Sequence, residues 1–311
     1  MECLKDEMKN HSDIYLYGAV LLTTSFLLRD AYPGPDSYAE YTRKVTTCGG
    51  ETGTCALVLA SLRVSVKIDG NFLGHQTYEP IKSCFSNLPI DYSAMTYDAA
   101  FDGLEDFVIT SKDNRTSLGR FIDFFDAKNK RRWNNPSRED VKNAKVVGLD
   151  PFFFEQSQEV MSYCVEYQKP YVTIDCEFDS EIHKNAAVTI VSHEFLKQHY
   201  QEVSIETLMK KFRKANNGLT IFTFGSSSIL YSRDGINIKS IEPFKTNVVS
   251  TLGAGDCFKA GIIYGVLNQM SDEAMIKFAS ATAALALTHY PILEKPPKLD
   301  EIYKMMKEGI K

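Results

Sequence analysis

The chain lacks any hydrophobic stretch approaching the roughly 20 residues that a membrane span requires, and runs such as residues 279–287 stop far short of it. Excess positive charge is missing as well: 35 Lys and Arg against 40 Asp and Glu leave a net charge of −5. Bulk binding to nucleic acid or to an anionic membrane needs clustered positive charge, so neither partner is expected. The dense basic run Lys128-Asn129-Lys130-Arg131-Arg132 reads as a solvated loop. Cys3, Cys48, Cys55, Cys84, Cys164, Cys176 and Cys257 are odd in number and show no C-x-x-C spacing. Neither a disulfide framework nor a zinc ribbon is indicated, and most of these thiols should be small buried hydrophobes. Met1 to Glu7 mixes charges of both signs without an apolar segment, so no signal peptide is expected and the cytoplasm is the expected location. No G-x-x-x-x-G-K-[ST] loop and no G-x-S-x-G elbow is present. His193-Glu194 is followed by Lys197 where a zinc protease needs its second histidine. His11, His75, His183, His193, His199 and His289 read as surface or satisfied core residues.

What the 311 residues do contain is a globular balance, 44% hydrophobic and 24% charged, long enough to bury a sizeable core. Short β-branched and aromatic runs recur at 14–22, 107–110, 145–149, 171–174, 187–191 and 219–224. Several are almost continuously apolar, as suits strands buried on both faces of a parallel sheet. Helical patterns lie at 54–62, 155–167 and 204–215, the last with Ser204 as a candidate cap. This alternation predicts an α/β fold. Two stretches break the rhythm. Residues 27–48 carry Tyr32-Pro33-Gly34-Pro35-Asp36 and read as a turn followed by a partly exposed strand. Residues 94–125, punctuated by Asp102-Gly103 and Lys112-Asp113-Asn114, read as hairpins. Together they predict a small β-sheet projecting from the main body.

The most informative stretch is Ser250-Thr251-Leu252-Gly253-Ala254-Gly255-Asp256-Cys257-Phe258-Lys259-Ala260-Gly261. A small-residue turn leads into a helical pattern over 256–267. Ala254 between two glycines lets the backbone come close to a ligand. The N–H groups of the first helical turn then point outward with the positive end of the helix dipole behind them. Phosphate is the natural occupant of such a site, and the turn supplies the positive potential that the composition lacks. Asp256 at a helix start can be a simple dipole partner. Beside an anion-binding turn it also suits a base that takes a proton from a hydroxyl attacking phosphorus.

This segment resembles the C-terminal signature of the ribokinase (PfkB) family of carbohydrate kinases, D-T-x-G-A-G-D-x-F. Other segments follow in that family's order: Cys48-Gly49-Gly50-Glu51-Thr52-Gly53-Thr54, Asp69-Gly70-Asn71-Phe72-Leu73-Gly74-His75 and Thr223-Phe224-Gly225. Tyr32-Pro33, Gly74-His75, Val191-Ser192 and the residues before Gly253 look nearest to the ketohexokinase-like branch. The resemblance implies a three-layer αβα sandwich with a mostly parallel central sheet, one kinase domain over 1–311, and a lid formed by segments near 27–48 and 94–125. It implies ATP- and Mg²⁺-dependent transfer of the γ-phosphoryl group to a hydroxymethyl hydroxyl of a sugar-like small molecule. Asp256 would be the base, with Gly253, Ala254 and Gly255 as the anion hole. Ser192, Thr223, Gly225, Ser228 and Thr251 would lie along ATP. Thr23, Gly49, Gly50, Thr54 and the lid residue Arg115 would meet the acceptor; no metal ligands are assigned.

The match has gaps. Thr23 stands where the family places an Asp that holds sugar hydroxyls, and Thr54 where it places an Asn. A hydroxyl bonds one sugar oxygen, whereas a carboxylate accepts two charge-assisted bonds. Ser250 replaces the Asp that opens the signature, which leaves activation by a monovalent cation open. Alternatives are a nucleoside kinase of the same superfamily and a non-catalytic sugar or nucleotide sensor. An open lid edge needs covering, and pairing of two copies through the lid is one economical way.

Overall fold

Runs with no polar face must be covered on both sides, and a central parallel sheet provides that cover. In the computed structural model, which describes residues 12–111, 115–126, 128–291 and 294–308, β1 (Ile14–Gly18) is wholly buried. It lies within a nine-stranded sheet. On one side of it come β4 (Val66–Gly70) and β6 (Ile90–Asp91), both parallel. On the other come β10 (Val146–Leu149), β11 (Tyr171–Ile174), β12 (Val188–Ser192) and β13 (Leu219–Thr223), also parallel. The strands β14 (Ile229–Ser232) and β15 (Lys239–Ile241) extend that edge antiparallel. Met1 to Glu7, with Cys3, and also His11 and Lys112 to Asn114 lie outside the described residues.

Helices cover both faces, giving three layers. Alternate residues of β1 divide between them: Ile14 and Leu16 pack toward one side, Tyr15 and Tyr17 toward the other. The first side is covered by α1 (Glu51–Ser61), α9 (Ala254–Leu267), α10 (Asp272–Ala286) and α11 (Leu299–Glu308), with α2 (Tyr78–Phe85) at its edge. The second is covered by α4 (Arg138–Asn143), α5 (Phe154–Glu166) and α6 (Glu181–Asn185), and further along by α7 (His193–His199) and α8 (Ile205–Ala215). As expected, Ser204 caps α8, accepting from Thr207 N at 3.3 Å. A short helix α3 (Phe121–Phe125) precedes the basic run. Within that run Lys130 and Arg132 pair with Asp98, so it is not simply solvated. Trp133 has the packing role its surroundings favour: it is buried among Phe124, Phe125, Phe153 and Phe154 and donates to Gln156 Oε1 at 2.9 Å.

One expectation is corrected. Residues 14–22 are not one strand: β1 ends at Gly18, and β2 (Leu21–Leu28) belongs to a separate four-stranded sheet. At the break the buried Asn71 side chain takes the place of a strand neighbour, accepting from Val20 N at 2.7 Å and donating to Val20 O at 2.8 Å. The second sheet has the order β3 (Tyr41–Gly49), β2, β8 (Glu105–Thr110), β9 (Arg115–Gly119). It is antiparallel except for the β2–β8 pair. A two-residue pair, β5 (Leu73–Gly74) with β7 (Tyr97–Asp98), completes the strands described. In the large sheet the chain order reverses at β1, whose neighbours are β4 and β10. Ligands of open α/β sheets bind beyond the carboxyl ends of the strands at such a reversal.

Candidate active site

At that reversal the chain ends of β1 and β10 are joined by one buried carboxylate. Asp150 Oδ2 accepts from Ala19 N at 3.0 Å and from Thr52 Oγ1 at 2.9 Å. Its Oδ1 pairs with Lys259 of α9, and both side chains are at most 1% exposed. Burial, the largest single influence, pushes the Lys259 ammonium down, but the charge and hydrogen bond of Asp150 together with the nearby Cys55 and Asp256 outweigh it, and the net direction is up. A Cβ on Gly18 would strike Asp150 Oδ2, so only glycine fits there.

Two helices start beside this knot. The α1 helix begins after Gly50, whose φ is +80°. Ala19 O accepts from Thr52 N and Gly53 N at 3.0 and 3.3 Å, which explains why the helix starts three residues before the expected 54. The α9 helix begins after Gly253, at φ 76° and ψ 10°, with no side chain capping it. Ala254 N turns back to Thr251 O at 3.3 Å. The N–H groups of Gly255 and Asp256 precede the first intrahelical donor, Cys257 N, which donates to Gly253 O at 3.0 Å, and a Cβ on Gly255 would meet only open space.

Asp256 and Glu51 stand on the first turns of these two helices, in one cleft of about 430 Å³. Burial pushes Asp256 up to about 7; the positive charges of Lys259 and Arg115 oppose that shift, and Asp150 adds to it. Burial likewise raises Glu51, to about 8, with the negative charges of Asp150 and Asp256 adding to the effect. The opposite wall is one face of the small sheet, read off by its two-residue alternation. Leu21, Thr23 and Ser25 of β2, Thr47 and Gly49 of β3, Asp106 of β8 and Ser117 of β9 all line the cleft. Phe121, Phe125 and Phe152 add aromatic surface.

Of the residues singled out in the sequence, Thr23, Gly49, Gly50, Thr54, Gly253 and Asp256 meet in this cleft. Ala254 and Gly255 continue the turn at its edge. Ser192 and Thr223 end β12 and β13 in register, and Gly225 (φ +60°) and Ser228 shape the following turn. These four lie at the carboxyl ends of the strands but outside the cleft lining. The Ser192 hydroxyl is engaged by Asp175 Oδ2 at 3.0 Å and by Phe195 N at 3.1 Å. Arg115 is not a free hairpin charge: it donates to Thr251 O at 3.0 Å and ties β9 to the α9 turn. The sequence reading missed Glu51, Asp106, Asp150 and Lys259. Lys259 carried a signal, as a charged residue inside an otherwise apolar helix, and Glu51 sat within the quoted Gly-Gly stretch.

Among the described residues no group of three or more His, Cys, Asp or Glu is placed to hold a metal ion. Among the described residues no helix is long and apolar enough to cross a membrane. The six described cysteines are free.

The model of the pfkB family carbohydrate kinase matches residues 182–297. Over 181 residues the chain is 25% identical to 5-dehydro-2-deoxygluconokinase of Lacticaseibacillus casei, covering 54% of this chain and 51% of that protein. Over 121 residues it is 30% identical to ribokinase of Lactococcus lactis subsp. lactis, covering 39% and 38%. The chain thus spans about half or less of the length of these curated relatives. Ribokinase of Arabidopsis thaliana, solved with ribose and ATP, superposes with a TM-score of 0.78 at 16% identity, covering 96% of this chain and 99% of that one.

Proposed function

We propose that this chain, whose residues 182–297 match the pfkB family carbohydrate kinase model and whose fold is ribokinase-like, is an enzyme that transfers the γ-phosphoryl group of ATP to a hydroxyl of a sugar-like acceptor. The observation that carries this reading is Asp256 on the first turn of α9, beside outward N–H groups and on the floor of the cleft. In the proposed step an acceptor oxygen bonds to the γ-phosphorus, the bond from that phosphorus to the β,γ-bridging oxygen breaks, and ADP leaves. The acceptor's hydroxyl proton passes to the Asp256 carboxylate. The backbone N–H groups of Gly255 and Asp256 hold the charge of the moving group, which needs fixed donors rather than a charged side chain. Adenosine would lie along Ser192, Thr223, Gly225 and Ser228, with Thr251 nearer the phosphates.

Mg²⁺ bound through phosphates and water needs few protein carboxylates, which fits the absence of an acidic cage among the described residues. Asp175, whose carboxylate takes hydrogen bonds from Ser192 N and Oγ, and the neighbouring exposed Glu194 would hold its water. The ion would supply charge neutralisation at the triphosphate. The aromatic wall of Phe121, Phe125 and Phe152 favours one second reading, a nucleoside whose flat base packs against it.

The test is acceptor-dependent ADP release over sugars, sugar phosphates and nucleosides, run beside Asp256→Asn. The variant is expected to lose about 10²–10⁴ in kcat while retaining ATP and acceptor binding. Equal rates in both proteins would remove Asp256 from the role of base.

A further inference from the structure

Resting on the kinase reading, we propose that Asp106, a residue of the small sheet rather than of the kinase body, is the carboxylate that grips the acceptor's hydroxyls. The acceptor is accordingly an uncharged polyol rather than a sugar phosphate.

The argument starts from a deficit. Thr23 faces the cleft with one hydroxyl, and that hydroxyl sits where a Cβ on Gly49 would strike it. Such a wall has little acceptor capacity of its own. Across the β2–β8 pairing, Asp106 stands directly opposite Thr23, so their side chains lie side by side on the cleft face. On its other side Asp106 is paired with Gly119, which contributes no side chain. A Cβ at Gly119 would strike the Phe121 ring, so the space beside the carboxylate cannot be filled from β9.

The Asp106 carboxylate is consequently under-used. Its Oδ1 is buried and has no hydrogen-bond partner. Burial raises its pKa, and the Thr23 hydroxyl and the Arg115 charge only oppose that shift. A buried carboxylate oxygen without a donor is costly, and it gains most from a ligand that brings hydroxyl donors. A vicinal diol offers two such donors, one for each oxygen. A phosphate ester offers the opposite, because it would bring negative charge beside Asp106, into a cleft where burial already disfavours the ionised forms of Glu51, Asp106 and Asp256. Charge of one sign in a confined site repels a like-charged ligand.

Asp106 lies on β8 and Arg115 on its paired neighbour β9, and Arg115 donates to Thr251 O at 3.0 Å, so the sheet that carries Asp106 is fixed to the turn that leads into Asp256. A purely structural role, in which Asp106 only steadies β2 against β8, predicts something different. Removal would then lower stability without touching the acceptor.

The experiment compares wild type, Asp106→Asn and Asp106→Ala in two assays. One is ADP release with D-ribose, D-fructose and D-fructose 6-phosphate. The other is calorimetric binding of the same sugars without ATP. The expected result is an acceptor KM raised about 10-fold to 100-fold in Asp106→Ala, the range set by loss of a hydrogen bond to a charged group. Asp106→Asn should fall between, the KM for ATP should stay within two-fold, and Tm should not drop. An unchanged acceptor KM, with or without a lower Tm, overturns the proposal. So does a wild type that prefers the phosphate ester to the free sugar. If no acceptor yields ADP from the wild type, the kinase reading falls by itself and calorimetry decides the role of Asp106. Neutral-sugar binding that Asp106→Ala abolishes sustains that role; equal binding in both, or none in either, overturns it.

Discussion

Glu51 keeps its proton up to about pH 8 because burial, together with the charges of Asp150 and Asp256, opposes its ionisation. In the unfolded chain it ionises near the ordinary value of 4.5. Between those values the folded state binds more protons than the unfolded state, so stability falls as pH rises from about 4.5 to about 8. Glu51→Gln removes that fall. Melting curves from pH 5 to pH 8 should show the wild type losing Tm relative to the variant, and parallel curves would rule the buried proton out. The same residue shows the limit of reading sequence. Its place after Gly49-Gly50 was visible, but its elevated affinity for a proton comes first from burial and then from the charges of Asp150, 99 positions away, and Asp256, 205 positions away. The sequence could not show that meeting.

Elements are joined at the site by the Asp150–Lys259 pair, which ties α9 to β10 and, through Ala19 and Thr52, to the end of β1 and the start of α1. Lys259→Met leaves a buried carboxylate uncompensated and should cost about 3–5 kcal/mol of unfolding free energy. Adding Asp150→Asn keeps an acceptor for Ala19 N but removes the charge, so the double variant should recover most of that loss. Denaturant titration of both variants checks this, and equal losses would show that the pair is not coupled. Helices and strands at this scale were largely legible, because β10 to β13 are short apolar runs and α8 carries its own Ser204 cap. The break after Gly18 was not. Ala19 and Val20 look like continuing strand, and the partner that ends it, Asn71, lies 51 residues further on.

For the whole molecule the question is what the small sheet does with its other face. Where Thr23 and Asp106 face the cleft, the alternate residues Phe107 and Leu118 face outward and are 42% and 52% exposed; Tyr41 is 55% exposed. Its outer strands β3 and β9 are edges. Exposed apolar surface on an open-edged sheet favours pairing with another copy. We expect a homodimer formed through this sheet, with Phe107→Asp combined with Leu118→Asp giving a monomer. Sedimentation across micromolar concentrations reads the outcome, and a wild type that stays monomeric would exclude the clasp. The body and small sheet are also linked within one chain: Arg43 of β3 pairs with Glu294 and donates to Tyr290 O, while Arg115 of β9 reaches Thr251.

The sequence by itself determined the alternation of strands and helices, the turn from Gly253 to Gly255 with Asp256 behind it, and a small second sheet. Each of these is local: apolar periodicity, glycine between small residues, and turn chemistry act over a few neighbouring positions. Only the tertiary structure decided which carboxylates share the cleft. Glu51, Asp106, Asp150 and Asp256 come from four separate segments, and their burial and mutual charge exist only once the sheet reverses order at β1 and the second sheet lies against α1 and α9. The −5 net charge set an expectation against polyanion partners, but it said nothing of this site. Electrostatics at such short range depend on distance and burial, which composition does not carry.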